Sequence, residues 1–379
     1  MTPDHAPDHS HDQAHDHAHD QAPELVDGAT RPRKQEQEEA TTEIQEVAPG
    51  ILRMQLPISL PGLGHVNTYA LEDGDGFTLI DPGLPGEASW NALMARMDSA
   101  GIPLNRVHHV IVTHSHPDHF GGAGMLAQES GAQIVASSHF RLGFDPKDGD
   151  ERELEARGLL DDPDEELPED FAMPSPWGGD GGRLVGDERK VVMERRREMF
   201  AFFLRPDPTV HVDDSDRLTL GNREWMGVYT PGHTNDHLCL FDPEGGVLLS
   251  GDHVLPTITP HISGLIEGDP LRAYLDSLDR VAAFEGVTVV LPAHGHPFTD
   301  LPGRVDDIKE HHAERLEALR AASHDQGWAT VNDLMRALFK PRSWSHMAES
   351  ETYAHLEHLR LLGEADRREE AGLAHYLVP

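Results

Sequence analysis

The sequence predicts a mixed α/β (α+β) protein in which short buried strands lead directly into histidine and aspartate residues. Three observations support this prediction. Short apolar, β-branched runs alternate with segments of helical spacing, which is typical of mixed folds. Four of these runs are followed at once by a histidine or aspartate beside glycine or proline. The length of 379 residues suits one large domain and a smaller one.

Composition and charge narrow the classes of partner. The formal charge is −36, and much of the acidic excess lies in residues 1–49 and 144–170. So acidic a surface repels phosphate backbones and disfavours nucleic acid. The single cysteine, Cys239, excludes a disulfide within the chain. Because we see neither a secretory signal nor an apolar run of membrane length, we expect a cytoplasmic protein that contacts no membrane.

Residues 1–49 are predicted to be a disordered tail. Histidines at positions 5, 9, 11, 15, 17 and 19 alternate with aspartate, alanine and glutamine, and almost nothing there could be buried. A solvated tail without a role is favoured over a tail that collects metal.

The next segment contains the first group of predicted elements. Its pattern predicts a helix over 86–100 and strands over 51–56, 68–71, 78–80, 107–113 and 133–136. Residues 57–64 are apolar, with two prolines and two glycines, and are predicted to form a loop over a pocket.

An insertion over 141–210 separates the first group of elements from the second. Its first part is acidic, and its second part has helical spacing over 188–204, which predicts a packed lid. After the insertion, the pattern predicts a helix over 271–284 and strands over 217–220, 224–229, 238–242, 247–250 and 287–292.

Residues 107–124 contain the densest set of candidate ligands. An apolar strand over 107–113 is followed within six residues by His114, His116, Asp118 and His119. Three imidazoles and a carboxylate this close would be hard to satisfy in a core, but they are good ligands for zinc. A His-rich surface loop is the alternative, and the specificity of the spacing disfavours it.

Three later strands end in the same way. His233 follows the strand over 224–229, Asp252 follows 247–250, and His294 follows 287–292. Ligands at successive strand ends are how a site is built along one edge of stacked sheets.

The order His-x-His-x-Asp-His, then His, Asp and His, resembles the metal-site motifs of the metallo-β-lactamase superfamily, in its glyoxalase-II-like branch. The resemblance covers about residues 51–300 and implies an αββα sandwich with a hydrolase site. It implies one metal held by His114, His116 and His233, and a second held by Asp118, His119 and His294. Asp252 would bridge the two ions. His296 is kept as an alternative to His294, and His253 is assigned a supporting role.

Such a site can do hydrolytic chemistry without a protein nucleophile. Two ions about 3.5–4 Å apart can hold a bridging hydroxide at neutral pH. Asp118 is the predicted catalytic residue, because it can orient the nucleophile and take a proton. Two zinc ions are the predicted cofactors, although manganese or iron can occupy similar sites. His261 is predicted to touch the substrate.

The C-terminal residues 301–379 predict three helices and a hairpin. The first helix is predicted over 303–322, and the second begins after Asn332 as its N-cap. The third helix is predicted over 348–362, with Leu362 facing inward, and the hairpin over 364–378. This outline resembles the winged-helix appendix of lactamase-beta-two-like hydrolases. Because the segment contains more acidic than basic residues, it is predicted to pack or to form a homodimer rather than to read nucleic acid.

We therefore expect a hydrolase domain over 50–300, with its lid insertion, that acts on a small thioester, ester or lactone. The first alternative is a metal-dependent phosphodiesterase that cleaves single-stranded RNA. The second is a non-catalytic metal-binding protein, which the bridging aspartate argues against because a metal store needs no such bridge.

Overall fold

The computed structural model describes residues 34–60, 62–142, 175–179 and 202–379, and the backbone of residues 25–26 and 29–30. The chain divides into two units, Met1–Arg33 and Lys34–Pro379. In the first unit, strands β1 (Leu25–Val26) and β2 (Ala29–Thr30) pair antiparallel. The acidic segment 144–170 and residues 188–201 of the predicted lid helix lie outside the described residues.

In the second unit, the larger sheet contains seven strands that follow one another in sequence order. Pairing is antiparallel from β3 to β6 and parallel from β6 to β9. The strands are β3 (Gln45–Ala48), β4 (Ile51–Leu60), β5 (Leu63–Glu72), β6 (Phe77–Ile80), β7 (Val107–Val112), β8 (Gln133–Ser137) and β9 (Val210–Val212).

A second sheet contains five strands, also in sequence order. Pairing is antiparallel from β10 to β13, and β14 runs parallel to β13. As a result β11, β13 and β14 point the same way, and their C-terminal ends lie at one edge. The strands are β10 (Arg217–Leu220), β11 (Arg223–Tyr229), β12 (Leu238–Asp242), β13 (Val247–Gly251) and β14 (Val289–Pro292).

Seven helices complete the described structure. They are α1 (Glu87–Ala100), α2 (Pro117–Phe120), α3 (Ala123–Ser130), α4 (Pro270–Ala282), α5 (Leu301–Gln326), α6 (Val331–Leu338) and α7 (His346–Leu361). In the described part of the chain, no helix combines the length and apolar character needed to cross a membrane.

Three apolar cores define the layers of the fold. Inward-facing residues of both sheets, such as Ile111 and Trp225, form the central core. Leu93 of α1 and Leu126 of α3 pack on the outer face of the larger sheet. Tyr274 of α4 and Ile308 of α5 pack on the outer face of the smaller one. The predicted αββα sandwich is therefore confirmed.

The C-terminal residues have a core of their own. Strands β15 (Ala329–Thr330), β16 (Asp366–Glu370) and β17 (Leu373–Leu377) pair in the order β15-β17-β16. Buried Leu334, Leu356 and Tyr376 join this sheet to α6 and α7. Ala354 of α7 also packs against the core beneath α4, which fastens this region to the sandwich. The likeness to a winged helix stays a prediction.

Two predictions near the N-terminus were wrong. The tail does not extend to residue 49, because Glu36 is fully buried and β3 pairs with β4. Residues 57–60 and 63–64 are not a loop, because they belong to the paired strands β4 and β5. The ladder accommodates Pro57 beside a bulge between Pro57 and Leu60, a position where proline is tolerated in a sheet.

Two details at the C-terminus were also wrong. Thr330, not Asn332, caps α6, because the Thr330 hydroxyl accepts from the backbone of Asp333 while the Asp333 carboxylate accepts from the backbone of Thr330. Leu362 is half exposed, since α7 ends at Leu361 and the chain turns away there.

Candidate metal centre

The four ligand-bearing loops come together because each follows the C-terminal end of a strand, namely β7, β11, β13 and β14. The seven predicted side chains fall into two groups, and within each group the candidate ligand atoms lie within 4.8 Å of one another. One group is His114, His116, His233 and Asp252, and the other is Asp118, His119 and His294.

In the first group three imidazoles converge on a common space. His116 Nδ1 lies 3.0 Å from His114 Nε2 and 3.1 Å from His233 Nε2. His233 Nδ1 donates to the carbonyl of His261 at 2.7 Å. His114 Nδ1 donates to the Thr113 hydroxyl at 3.0 Å, because that hydroxyl uses its own hydrogen elsewhere. The Nε2 atoms of His114 and His233 therefore carry free lone pairs that face the space.

In the second group Asp118 lies between two imidazoles. Its Oδ2 atom is 3.5 Å from His119 Nε2 and 3.4 Å from His294 Nε2. Asp252 spans both groups: Oδ1 lies 3.3 Å from His294 Nε2, while Oδ2 lies 3.6 Å from His233 Nε2. This carboxylate therefore faces both groups of candidate ligands.

Asp81, which sequence analysis left without a role, supports the first loop. Its Oδ1 accepts from the backbone of Thr113 at 2.9 Å, and its Oδ2 accepts from the Thr113 hydroxyl at 2.8 Å. His119 Nδ1 lies 2.9 Å from the same Oδ2 and so donates to it. Asp81 takes a positive φ of 52° to reach both partners. Its position at the end of β6, before Pro-Gly, was the available signal.

His237 is a second residue without a predicted role. Its Nε2 atom accepts from the backbone of Asp252 at 3.0 Å, so its Nδ1 carries the hydrogen and donates to the Thr230 hydroxyl at 2.7 Å. Burial, and then the nearby His253 and His233, hold the pKa of His237 well below its usual value. A neutral imidazole thus fixes the backbone of the bridging aspartate. Only its proximity to His233 in the sequence pointed to it.

Strand β5 holds the His294 loop. His294 Nδ1 donates to the carbonyl of His65 at 2.6 Å, which aims its Nε2 at Asp118 and Asp252. Asn67 Nδ2 donates to the carbonyls of Pro292 and Gly295, at 2.8 and 2.9 Å. The larger sheet therefore positions a ligand that the smaller sheet carries.

Residues 35–38, which we call the N-terminal strap, lie against two of the site loops. Glu36 Oε1 accepts from the backbone of Thr257 at 2.7 Å and of Ile258 at 3.0 Å. Gln35 Oε1 accepts from the backbone of His296 at 3.1 Å. The strap thus ties the loop after Asp252 to the loop that carries His294.

The donor set fits divalent cations. His119 Nε2, His294 Nε2 and Asp252 Oδ1 are buried and have no hydrogen-bond partner among the described residues. Buried polar atoms left this way are costly unless something outside the chain satisfies them. Imidazole nitrogens and carboxylate oxygens are the donors that zinc accepts.

The electrostatics of the centre favour added positive charge. Burial alone would lower the pKa of His294, but Asp252 and Asp118 raise it to about 10. Burial would raise the pKa of Asp118, but His119 and His294 lower it to about 2. Burial, and then His233, lowers the pKa of His116 to about 3, so this ring is neutral and can offer a lone pair to a metal ion. A divalent ion would replace the proton that the two carboxylates otherwise stabilise on His294.

Three neighbouring histidines lie outside the two groups. His296 Nε2 is 2.8 Å from Glu38 Oε2 and faces the strap, so His294 rather than His296 joins the cluster. His253 is fully buried, and neither ring nitrogen has a hydrogen-bond partner among the described residues. His261 supports His233 through its carbonyl, and its ring lies 3.4 Å from Glu351 Oε2. Its contact with substrate stays a prediction.

Comparisons with known proteins agree with this geometry. A sequence profile described as the Metallo-beta-lactamase superfamily matches residues 61–294. The chain is 24% identical over 315 residues to the probable metallo-hydrolase YqjP of Bacillus subtilis (strain 168). That alignment covers 81% of this chain and 90% of YqjP. The chain is 28% identical over 298 residues to the lactamase-like protein adaB of Aspergillus niger. This second alignment covers 78% of the chain and 68% of adaB.

Two solved structures are similar over most of the chain. A metallo-beta-lactamase family protein from Thermus thermophilus has a TM-score of 0.69 and 27% identity, over 88% of this chain and 100% of that chain. A beta-lactamase domain protein from Burkholderia ambifaria has a TM-score of 0.68 and 26% identity, over 89% of this chain and 95% of that chain. These alignments extend beyond the part of the chain that the profile matches.

Proposed function

The chain belongs to the metallo-β-lactamase superfamily, and from this premise we infer that its metal-dependent hydrolase site holds two ions and acts on a small thioester, ester or lactone. We propose zinc as the metal. The number of ions and the substrate class also belong to the proposal. The membership itself and the hydrolase activity follow from the profile match and the relatives.

One observation carries the binuclear proposal. Asp252 Oδ2 lies 3.6 Å both from His233 Nε2 of the first group and from His119 Nε2 of the second, while Oδ1 lies 3.3 Å from His294 Nε2 and has no hydrogen-bond partner among the described residues. A carboxylate used in this way has a bridging geometry. A site for a single ion would use only one of the two groups. Either His294 and Asp118, or His116 and His233, would then have no role as metal ligands.

The protein groups then have separate tasks. When bound, divalent ions supply Lewis acidity and lower the pKa of a water molecule towards neutrality. His114, His116 and His233 would hold one ion, and Asp118, His119 and His294 the other. Asp118 would also orient the attacking water and accept a proton. Asp81 and His237 would keep His119 and Asp252 in position, which is the support that metal ligands usually require.

The substrate class rests on the charge of the chain. With 67 acidic and 31 basic residues, the protein repels a phosphate backbone at long range. A small thioester, ester or lactone meets no such barrier, so we favour it over single-stranded RNA. In the described C-terminal region, Ala354 packs against the sandwich, which supports a packing role rather than nucleic-acid binding.

The first experiment measures metal content and activity together. After removal of residues 1–33, whose histidines could bind further ions, we expect two zinc ions per chain by elemental analysis. The zinc-loaded full chain should hydrolyse a member of a panel of thioesters, esters and lactones, and should leave single-stranded RNA intact. One ion per chain would refute the binuclear site, and RNA cleavage without ester or thioester hydrolysis would refute the substrate class.

A further inference from the structure

A cavity of about 270 Å³ lies beside the metal centre, between the loop at residues 257–259 and helices α5 and α7. The loop reaches the centre at both ends. On one side Pro256 packs against Gly295, next to His294, where an added Cβ would lie 2.6 Å from Pro256 Cγ. On the other side the carbonyl of His261 accepts from His233. The cavity and the metal centre therefore share this loop as a wall.

The cavity is more basic than the rest of the protein. Three cationic side chains line it, from Lys34, Arg304 and Arg315, against the carboxylates of Asp307 and Glu351. Over the whole chain acidic residues outnumber basic ones by 67 to 31. Arg304, His311 and Arg315 are spaced by seven and four residues, which places them on one face of α5. A cationic excess at a concave position in so acidic a protein is unlike its surroundings.

Some donors in the cavity are not used by the protein. Arg315 itself is held in the wall, because Nη1 pairs with Glu351 Oε1 at 3.3 Å and the guanidinium lies 4.4 Å from the centre of the Phe339 ring. His311 Nε2 accepts from Arg315 Nε at 2.8 Å, so the ring is neutral and its Nδ1 carries a hydrogen. For the Lys34 ammonium, no hydrogen bond or ion pair is found among the described residues. Unused donors of this kind are suited to an anion.

The internal contacts also fix the cationic groups in place. Arg304 donates to the carbonyls of Leu255 and Ile258, at 2.6 Å each, and is therefore held along the wall. Glu351 lies 3.4 Å from His261 Nδ1 through Oε2. Burial would raise the pKa of Glu351, but His261 and Arg315 lower it to about 2, so it remains ionised and keeps Arg315 oriented. The cavity is thus pre-organised.

We propose that this cavity binds a small anion that carries a phosphate or carboxylate group. Its volume is at the lower end of the range for ligand pockets, which suits one anionic group rather than a complete large ligand. The anion has two potential sources, a free metabolite anion or the anionic end of the substrate. The second source rests on the proposed function, whereas anion binding does not.

The direct test is calorimetric titration of the zinc-loaded full chain with inorganic phosphate. We expect Lys34→Gln to weaken phosphate binding at least tenfold, and Arg304→Gln to weaken it similarly. Lys34 is exposed, and its ammonium makes no hydrogen bond or ion pair among the described residues, so Lys34→Gln should fold normally even where Arg304→Gln does not. Phosphate held by the zinc ions would persist in both variants, which separates the two sites. Unchanged phosphate binding in Lys34→Gln and in folded Arg304→Gln would overturn the proposal.

Lys309→Gln is the matched control. Lys309 lies on the same helix as Arg304 and pairs with Asp279, away from the cavity. The variant loses the same charge, and we expect it to bind phosphate like the wild type. An equal loss of binding in Lys309→Gln and Lys34→Gln would show only a general effect of net charge and would overturn the proposal.

A second measurement identifies the source of the anion. Two model thioesters of equal length are compared, one neutral and one with a terminal carboxylate. If the substrate supplies the anion, Lys34→Gln raises KM at least tenfold for the carboxylated thioester only, leaves kcat unchanged, and phosphate competes with that substrate. If the anion is free, the calorimetric result stands and neither thioester is affected. Hydrolysis of neither thioester would contradict this part of the proposed function while leaving phosphate binding intact.

Discussion

At the scale of single residues, the centre depends on pairs in which one side chain faces the ligand space and another group holds it from behind. His119 is held by Asp81, His233 by the carbonyl of His261, and Asp252 by His237. The facing atoms belong to residues with obvious metal chemistry. The holding atoms belong partly to the backbone and partly to side chains that are distant in sequence.

Asp118→Ala should abolish turnover and leave the fold intact. We expect the rate to fall by on the order of 10²- to 10⁴-fold, because the variant loses both a ligand and the group that handles the proton. The loss of stability should be small beside the loss of rate, because the lost ion pairs with His119 and His294 are partly offset by relief of the repulsion from Asp252. The measurements are kcat and thermal unfolding by circular dichroism.

The matched control for this prediction is His296→Ala. His296 pairs with Glu38 outside the cluster, so this variant should keep most of the activity. Near-normal turnover in Asp118→Ala, or loss of activity only in His296→Ala, would contradict the assignment.

Asp81→Asn should weaken metal binding about 10- to 100-fold, the range found when a group that orients a metal ligand is removed. Asparagine retains one oxygen with two lone pairs, so it cannot accept from all three donors that the carboxylate satisfies, namely the Thr113 amide, the Thr113 hydroxyl and His119 Nδ1, and its own NH2 group would face one of them. Chelator competition with zinc measures the affinity. Asp276→Asn, which changes an exposed carboxylate on α4, is the control. Equal affinity in the two variants would show that Asp81 is not needed.

The sequence predicted the seven clustered residues because histidine and aspartate at apolar strand ends are unusual. It could not assign Asp81 or His237. A lone aspartate before Pro-Gly is common in turns, and the contact of Asp81 with His119 depends on the parallel pairing of β6 and β7. His237 appears in sequence only as another histidine of the same loop, and its role depends on its approach to the backbone of Asp252.

At the scale of secondary-structure elements, helices α5 and α7 are joined by buried histidines. His355 Nδ1 donates to the carbonyl of Glu351 at 2.7 Å, so its Nε2 accepts from His312 Nδ1 at 3.0 Å. Burial, and then the neighbouring His355, lowers the pKa of His312 to about 2, and burial lowers that of His355 to about 4. Both rings are therefore neutral in the folded protein at pH 7.

This pair should make stability depend on pH. Both folded-state pKa values lie below the unfolded value of about 6.5, so the unfolded chain binds the extra protons. The contribution to stability is complete above about pH 6.5 and is lost as the pH falls, towards 4 for His355 and towards 2 for His312. Each histidine should add a slope of about 1 kcal/mol per pH unit in the free energy of unfolding. Urea unfolding between pH 7 and 5 should show a shallower slope in the double variant His312→Leu, His355→Leu.

The control for the pH dependence is His324→Leu, which changes an exposed histidine on the same helix α5. Its slope should match that of the wild type. A double variant with the wild-type slope would assign the pH dependence to other groups.

The elements that the sequence predicted best have a strong local period. The strand over 107–113 and the helix over 86–100 lie within one or two residues of the observed β7 and α1. The β4–β5 hairpin was missed at its tip, because two prolines and two glycines predict a loop while cross-strand pairing overrides that preference. The strap was missed because its partners are distant in sequence, such as Thr257, which is 221 residues from Glu36.

At the scale of the whole molecule, net charge decides how salt should affect activity. Hydrolysis of a neutral thioester should change less than about twofold between 50 and 200 mM salt, because no phosphate contacts are involved. Cleavage of RNA would instead weaken steeply over this range, in proportion to the number of phosphates neutralised. The three consecutive arginines at 195–197 lie outside the described residues.

Turnover is measured for both substrates across the salt series, with the wild type and with Arg195, Arg196 and Arg197 changed to alanine. We expect the alanine variant to hydrolyse the neutral thioester like the wild type. Strong RNA cleavage that falls with salt and requires the arginines, with negligible thioester hydrolysis, would replace the small-molecule proposal by the RNA alternative.

The strap also has a consequence for biosynthesis. Its contacts with Thr257 and His296 join residues 221 and 261 positions apart, and closing such long loops is slow. A nascent chain that has emerged only to residue 250 already exposes the loops of His114 and His233, but lacks Asp252, His294 and both partners of the strap. The full set of seven candidate ligands is therefore available only after the chain has emerged past His294.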